Sequence, residues 1–507
     1  MPKLARVLPF VQFAAGATRG LRTPPMLICF AAYASFWGAQ SLAHSEPGSM
    51  VRYQPYFYEY AGQRVVGELG RFEVPERYDH PDGAKVTLAF LRLKSTSSTP
   101  GPPIVYLAGG PGGSAIHLAK GARGAVFLKM RAAGDVIALE QRGVGLSEPK
   151  LDCEEHLGFP LDQSASLATL RDAFEVKVRD CAALWRSRGR DLSAYTVVES
   201  AHDMESLRRA LHVPKIRLWG SSYGTTLGLT VLRYHGEHVD RAIFAGVEGP
   251  DSTLKFPDTT KHQLETLATL IAADPRLEQE IPDFKALLQK VLQSAASQVY
   301  RVPLAANGDQ AVVVTLGRFD LEQIVIGSLG DREGLASLPR LLLDFDHRNL
   351  SSSRVQEAAK EIAGQRSGPV DSMMSLATDC SSGASAERLA EIDRQTKIDL
   401  LTHIDFPIPD ICPAVGVPTL PAKDRMPVHS AVPTLFMSGT LDGRTPRRNE
   451  EEVRRYFTHA QSILIEGAGH GDDLFVSSPA IGDAMVEYML TGNVKAKVIQ
   501  DPPLRFR

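Results

Sequence analysis

The chain is poor in cysteine, with five in 507 residues, and none of them stands in a CxxC pair or beside histidines at zinc-ligand spacing. A structural metal is therefore not expected. No repeat of fixed period is present, which excludes solenoids and propellers. With 42 Gly and 33 Pro the chain is far from collagen-like or low-complexity composition. Nor is there an excess of positive charge: 56 Lys and Arg face 59 Asp and Glu, a formal charge of −3. The electrostatic footprint of a nucleic-acid binder is missing. No apolar run reaches the roughly 20 residues that a bilayer-spanning helix needs, so stable membrane insertion is not expected. What remains is an ordinary globular composition, 43% hydrophobic and 23% charged. At roughly 150 residues per domain the length suggests about three units, or one α/β domain carrying a large insertion.

The first 43 residues differ from the rest. They hold Lys3, Arg6, Arg19 and Arg22 and no acidic residue, followed by an apolar run over 26–39. With Ser41-Leu42-Ala43 as a small-residue cleavage site, residues 1–43 have the form of a secretory signal peptide, which places the mature protein outside the cytosol, secreted or periplasmic. Cys29 lies inside that segment, leaving Cys153, Cys181, Cys380 and Cys412. An even number in an exported chain is consistent with two disulfides, and four cysteines allow three connectivities. The expected pairs are the sequence-local ones, Cys153 with Cys181 and Cys380 with Cys412.

Alternating residues over 63–73 and 85–93 flank a turn-rich 78–83 and predict an antiparallel pair. Short apolar runs follow at 103–108, 135–139, 216–219, 241–245, 433–437 and 462–465, bounded by Gly, Pro and Asp as buried parallel strands are. Helical patterns lie between several of them. One carries a capping-box signature at Ser200-Ala201-His202-Asp203, with Ala201, Met204, Leu207 and Leu211 on one face. The fold class is thus α/β, a mostly parallel central sheet covered on both sides. From 251 to 432 the strand signal fades, and helices are expected at 262–273, 284–296, 320–329 and 384–401. That block reads as a large helical cap inserted after the sixth strand, dividing a core of 44–250 and 433–507.

Gly220-Ser221-Ser222-Tyr223-Gly224 follows one of those strands and opens an apolar helix. It is a G-x-S-x-G elbow in its required context, a strand-to-helix turn that exposes the Ser222 hydroxyl. A serine hydroxyl needs a base, and the base an orienting acid; on an α/β-hydrolase sheet these follow in the order Ser, acid, His at late strand ends. Asp442 follows the strand at 433–437 and His470 the strand at 462–465, so Ser222, Asp442 and His470 are the expected triad. Charge developing on the attacked carbonyl oxygen must be met by fixed N–H donors. The glycine-rich 108–114 after its strand supplies one from Gly110, and Tyr223 the other. A phosphate-loop reading of 108–114 lacks the Gly-Lys-Ser/Thr of a P-loop, and no cofactor is expected.

Ala-Gly-Gly-Pro-Gly-Gly-Ser (108–114), Glu-Gln-Arg-Gly-Val-Gly-Leu-Ser (140–147), Gly-Ser-Ser-Tyr-Gly (220–224), Ser-Gly-Thr-Leu-Asp (438–442) and Gly-Ala-Gly-His-Gly (467–471) closely resemble the secreted prolyl and tripeptidyl aminopeptidases of the α/β-hydrolase superfamily. The resemblance covers most of the chain after the signal. It implies an exported serine exopeptidase acting on peptides, with Ser222 as nucleophile, Asp442 as acid and His470 as base. Ala108 stands where prolyl aminopeptidases usually carry His, closer to the tripeptidyl branch, and Glu140 where the family commonly has Asp. An aminopeptidase must also hold a protonated amine, so a carboxylate should face the acyl side of the site. Glu248 and Asp251, after the strand at 241–245, are the candidates, with a solvated turn as their alternative. The alternative activity is a carboxylesterase using the same triad, since this chemistry does not fix the leaving group.

Overall fold

A computed structural model describes residues 51–304, 312–401 and 403–507. The expected signal peptide, 1–43, lies outside them. Among the described residues twelve strands are formed: β1 (Arg52–Tyr60), β2 (Gln63–Pro75), β3 (Lys85–Leu93), β4 (Gly101–Leu107), β5 (Gly134–Leu139), β6 (Ile216–Ser221), β7 (Val239–Ala245), β8 (Tyr300–Leu304), β9 (Val312–Leu316), β10 (Thr434–Gly439), β11 (Ala460–Glu466) and β12 (Val498–Gln500). Ten of them make one sheet in the order β1-β2-β3-β5-β4-β6-β7-β10-β11-β12. β1, β2, β3 and β5 pair antiparallel, and from β5 through β12 every pair is parallel.

Successive side chains of the central strands enter opposite layers. Tyr106, Ala138, Trp219, Ile243 and Met437 join one buried cluster with helices Gly124–Met130 and Pro479–Thr491. Val105, Leu107, Ile137, Leu218, Phe244 and Phe436 join the other with helices Val197–Ala210 and Tyr223–His235. Burial on both faces is why these strands read as continuous apolar runs rather than alternating ones.

Between β7 and β10 the chain is largely helical. Helices Asp258–Ala272, Phe284–Ser297, Arg318–Ser328 and Arg332–Asp346 share an apolar cluster of their own. The insertion follows the seventh strand rather than the sixth, because β1 was not expected. The inserted block also contains the β8/β9 hairpin, which the sequence did not signal. Helix Leu167–Ser187, which precedes β6, packs with Met373, Met374 and Ile411 of the insertion rather than on the sheet. Both sequence-local disulfides form: Cys153 with Cys181 on that helix, and Cys380 with Cys412 within the insertion.

One helix starts a turn earlier than its signature suggested. Thr196, not Ser200, is the N-cap of Val197–Ala210, its hydroxyl accepting from the Glu199 N–H at 3.2 Å. Thr196-Val-Val-Glu199 has the same capping spacing as the Ser200 segment, and Val197 is then buried at the first turn.

Candidate active site

β6 runs into helix Tyr223–His235 through Ser222, whose backbone sits at φ 55°, ψ −129°. A non-glycine residue at positive φ is strained, and here the strain turns the hydroxyl out of the sheet's upper edge. The flanking glycines have no alternative: a Cβ on Gly224 would lie 2.0 Å from the Leu107 carbonyl oxygen, and one on Gly220 2.6 Å from that of Gly224. The elbow is thus pressed against the end of β4.

Asp442 follows β10 and His470 follows β11, neighbouring strands of the sheet. Ser222 Oγ lies 3.1 Å from His470 Nε2, and His470 Nδ1 lies 2.9 Å from Asp442 Oδ2. The Asp442 side chain is fully buried and well supplied with donors. Its Oδ1 accepts from the backbone N–H groups of Arg444 at 2.9 Å and Thr445 at 2.8 Å, and its Oδ2 from the Thr445 hydroxyl at 2.7 Å. Burial alone would raise this carboxyl, but the His470 charge, the His470 hydrogen bond and the Thr445 donors outweigh it and hold it below the ordinary aspartate value. It is therefore ionised where an orienting acid has to be. The Thr445 hydroxyl, also 3.0 Å from His470 Nδ1, was not foreseen.

The glycine-rich loop after β4 passes over Ser222. A Cβ on Gly109 would stand 2.9 Å from Ser222 Cβ, so the backbone of 109–110 lies directly against the serine. Gly110 takes φ +122°, a conformation that an L side chain rarely adopts. Beneath the loop Glu140 is fully buried, and its Oε1 accepts from the Ser114 hydroxyl at 2.6 Å and the Ile116 N–H at 3.2 Å. Burial raises the Glu140 carboxyl above its ordinary value despite these donors. Ser375 of the insertion reaches the loop from above, donating to the Pro111 carbonyl oxygen at 2.9 Å.

The two carboxylates expected near the amine separate. Asp251 is occupied by Ser385, whose N–H and hydroxyl it accepts at 2.7 and 2.6 Å. Glu248 is 5% exposed, and its nearest cation, Lys255 Nζ, is 3.9 Å away. Burial raises the Glu248 carboxyl; Lys255 and His470 oppose this, while Asp405 adds to it. Asp379 is raised well above its ordinary value by burial and by Glu248, so two acids that sequence reading missed, Asp379 and Asp405, stand near Glu248 with Lys255 the cation common to the group. The Tyr223 hydroxyl is buried, without a hydrogen-bond partner, and feels the charges of Asp379 and Glu248. No motif marks Asp379 or Asp405 in the sequence.

Among the described residues, one further group offers ligand atoms to a metal: Glu205, His235 and His238. Glu205 already accepts from Arg208 at 2.8 Å and Arg209 at 2.7 Å, which satisfies the carboxylate as an ion pair. Cys153 and Cys181, which also approach Glu155, are joined in a disulfide.

Residues 102–472 match the family model of the alpha/beta hydrolase fold. The tripeptidyl aminopeptidase of Streptomyces lividans is 23% identical over 468 residues, covering 86% of this chain and 84% of that protein. The serine protease Hip1 of Mycobacterium bovis is 25% identical over 229 residues, covering 42% of this chain and 43% of its own. Among solved structures, a thermophilic esterase from Thermogutta terrifontis aligns over 83% of this chain and 97% of its own at 15% identity and a TM-score of 0.36. With the family model matched over residues 102–472, most of the chain, and with peptidases among its relatives, the chain belongs to the alpha/beta hydrolase fold family and is a serine hydrolase of it.

Proposed function

We propose that the protein is an exported aminopeptidase that releases an N-terminal residue or short N-terminal peptide through an acyl-enzyme. Ser222 Oγ attacks the scissile carbonyl carbon while its proton passes to His470 Nε2. Asp442 holds the imidazole with its proton on Nδ1 and stabilises the imidazolium that forms. The N–H groups of Gly110 and Tyr223 receive the oxyanion, aided by the positive end of helix Tyr223–His235. His470 then protonates the leaving amine, and the C–N bond breaks. Water attacks the acyl carbon, giving its proton to His470, which returns it to Ser222 Oγ as the acyl C–O bond breaks. Residues 251–432 act as a cap that limits the site to chain ends, with 44–250 and 433–507 as the catalytic core.

The observation that carries the choice of peptide is the acidic group beside the triad. Glu248, Asp379 and Asp405 gather around the Lys255 ammonium, with Arg444 acting on Glu248 and Arg388 on Glu248 and Asp405 as further positive charges. Carboxylates buried in this way either take up a proton, as the raised Asp379 and Glu248 carboxyls tend to, or are met by a further positive charge. A protonated N-terminal amine supplies that charge, and the partnerless Tyr223 hydroxyl supplies a neutral contact. Asp251 is not needed for this role. Export is part of the same reading: the two disulfides support an oxidising destination, as does the basic-then-apolar 1–43.

The test compares chromogenic amides of proline, alanine and an alanine tripeptide with short-chain esters, on the wild type and on Glu248→Gln. The amine reading requires that Glu248→Gln lose peptide amides by at least about tenfold more than esters, a difference of roughly 1.4 kcal/mol. Equal losses would remove the amine role and favour a carboxylesterase.

A further inference from the structure

The loop that carries His470 has little stiffness of its own. It reads Gly467-Ala468-Gly469-His470-Gly471, with Gly467 at φ +88° and Gly471 at φ +72°. Glycines at such positions leave the backbone many alternatives, so the 3.1 Å approach of His470 Nε2 to Ser222 Oγ must be set from outside the loop.

The ties come from two sides. On the core side Arg123, 6% exposed, donates to Asp472 at 2.6 Å and to the hydroxyl of Ser221 at 3.3 Å, and also to Tyr106. On the other side the insertion closes on the loop. The His470 N–H donates to the Gly330 carbonyl oxygen at 3.2 Å. Asp473 Oδ2 accepts from both the Gly469 N–H at 3.2 Å and the Arg332 N–H at 3.0 Å. The Arg332 guanidinium donates to the Gly467 carbonyl oxygen and, at 2.6 Å, to that of Pro502, with Asp501 3.8 Å away. Asp501 is buried and neither of its oxygens has a hydrogen-bond partner, so Arg332 is the cation that compensates it. The contact is close: a Cβ on Gly469 would stand 3.2 Å from both the Arg332 nitrogen and Asp331 Cα.

We propose that Arg332 is a positioning residue for His470, through which the inserted helical segment, and not the sheet alone, sets the serine–histidine geometry. This rests on the reading of His470 as the base. Removing the guanidinium frees the Gly467 carbonyl and the C-terminal segment, and the imidazole drifts from both Ser222 and Asp442. A misplacement of about 1 Å in a reacting group costs up to about 100-fold.

The test uses the full chain and a short-chain p-nitrophenyl ester, with rates normalised to sites titrated by a fluorophosphonate. Arg332→Met should lower kcat by between about 10- and 100-fold while KM stays within about twofold. Lost stability alone reduces the number of titrated sites and leaves kcat per titrated site unchanged. Arg332→Lys, which still donates to the Gly467 carbonyl, should recover part of the rate. If Arg332→Met does not fold, Arg332→Gln is read by the same two measurements. A folded variant with wild-type kcat overturns the proposal. His470→Ala separates the two ideas: if it stays active the base assignment fails, and if it is dead while Arg332→Met is normal only the positioning role fails.

Discussion

Asp442→Asn changes one atom of the site, and the hydrogen bonds around it decide what that atom does. Asp442 Oδ1 accepts two backbone N–H groups, from Arg444 at 2.9 Å and Thr445 at 2.8 Å. An amide nitrogen cannot accept, so the amide oxygen must take that place. The NH2 is thereby forced into the Oδ2 position, 2.9 Å from His470 Nδ1. There it donates to Nδ1, which must then be the unprotonated nitrogen. The imidazole proton moves to Nε2, 3.1 Å from Ser222 Oγ, and the base can no longer take the serine proton. Wrong-tautomer replacements in other serine triads cost about 10⁴ in kcat, or about 5.4 kcal/mol. Losing a hydrogen bond to a charged group costs only about 1.5–3 kcal/mol, roughly 10- to 150-fold. The magnitude therefore separates the two effects. Steady-state kcat on an ester and an amide, with circular dichroism to establish folding, should show the larger loss. A folded variant slowed by less than about 100-fold would refute the tautomer argument.

Three other outcomes are expected. Glu205 is raised by burial, but Arg208, Arg209 and His238 bring it down to about 2. A depressed carboxyl contributes stability that is full above the unfolded value of about 4.5 and is lost as pH falls through the folded one; urea midpoints should therefore drop between about pH 5 and pH 2, and drop less in Glu205→Gln. The Cys380–Cys412 bridge closes a separation of 32 residues, so replacing both cysteines by alanine should cost about 3–4 kcal/mol by loop entropy, checked by denaturant titration. A loss under about 1 kcal/mol would contradict the loop-entropy account of that bridge. In Gly109→Ala the new methyl would sit 2.8 Å from the Ser221 carbonyl oxygen and 2.9 Å from Ser222 Cβ, pushing the loop off the nucleophile. With a displaced oxyanion donor kcat should fall by about 10²-fold or more, with KM little changed.

The central sheet was legible because parallel strands buried on both faces leave short apolar runs, and six such runs correspond to β4, β5, β6, β7, β10 and β11. Edge strands leave weaker traces. β1 reads Arg-Tyr-Gln-Pro-Tyr-Phe-Tyr-Glu-Tyr, half-exposed and interrupted by Pro55, and β12 has three residues. The β8/β9 hairpin escaped because two five-residue strands stand among helices, and their pairing is a tertiary fact. Helix Leu167–Ser187 falls within the expected core, 44–250, whereas its partners Met373 and Ile411 lie some two hundred residues further on in the insertion.

The same distinction runs through the site. Ser222, Asp442 and His470 come together because they follow β6, β10 and β11, strands of one parallel run in which only β7 intervenes, so their order along the chain already points to one edge of the sheet. Asp379, Asp405 and Arg332 belong to the insertion, where no strand register aims a side chain and no motif surrounds it. Their effect depends on partners brought together by packing: Glu248 and Lys255 around Asp379 and Asp405, Gly467 and Asp501 around Arg332. Glu248 could be singled out in the sequence because it lies just past β7, whereas Asp251, three residues on, is taken up by Ser385 of the insertion. On the proposed reading, the chemistry of acyl transfer is written in the strand ends, and the choice of substrate in residues whose meaning exists only after the insertion has folded over them.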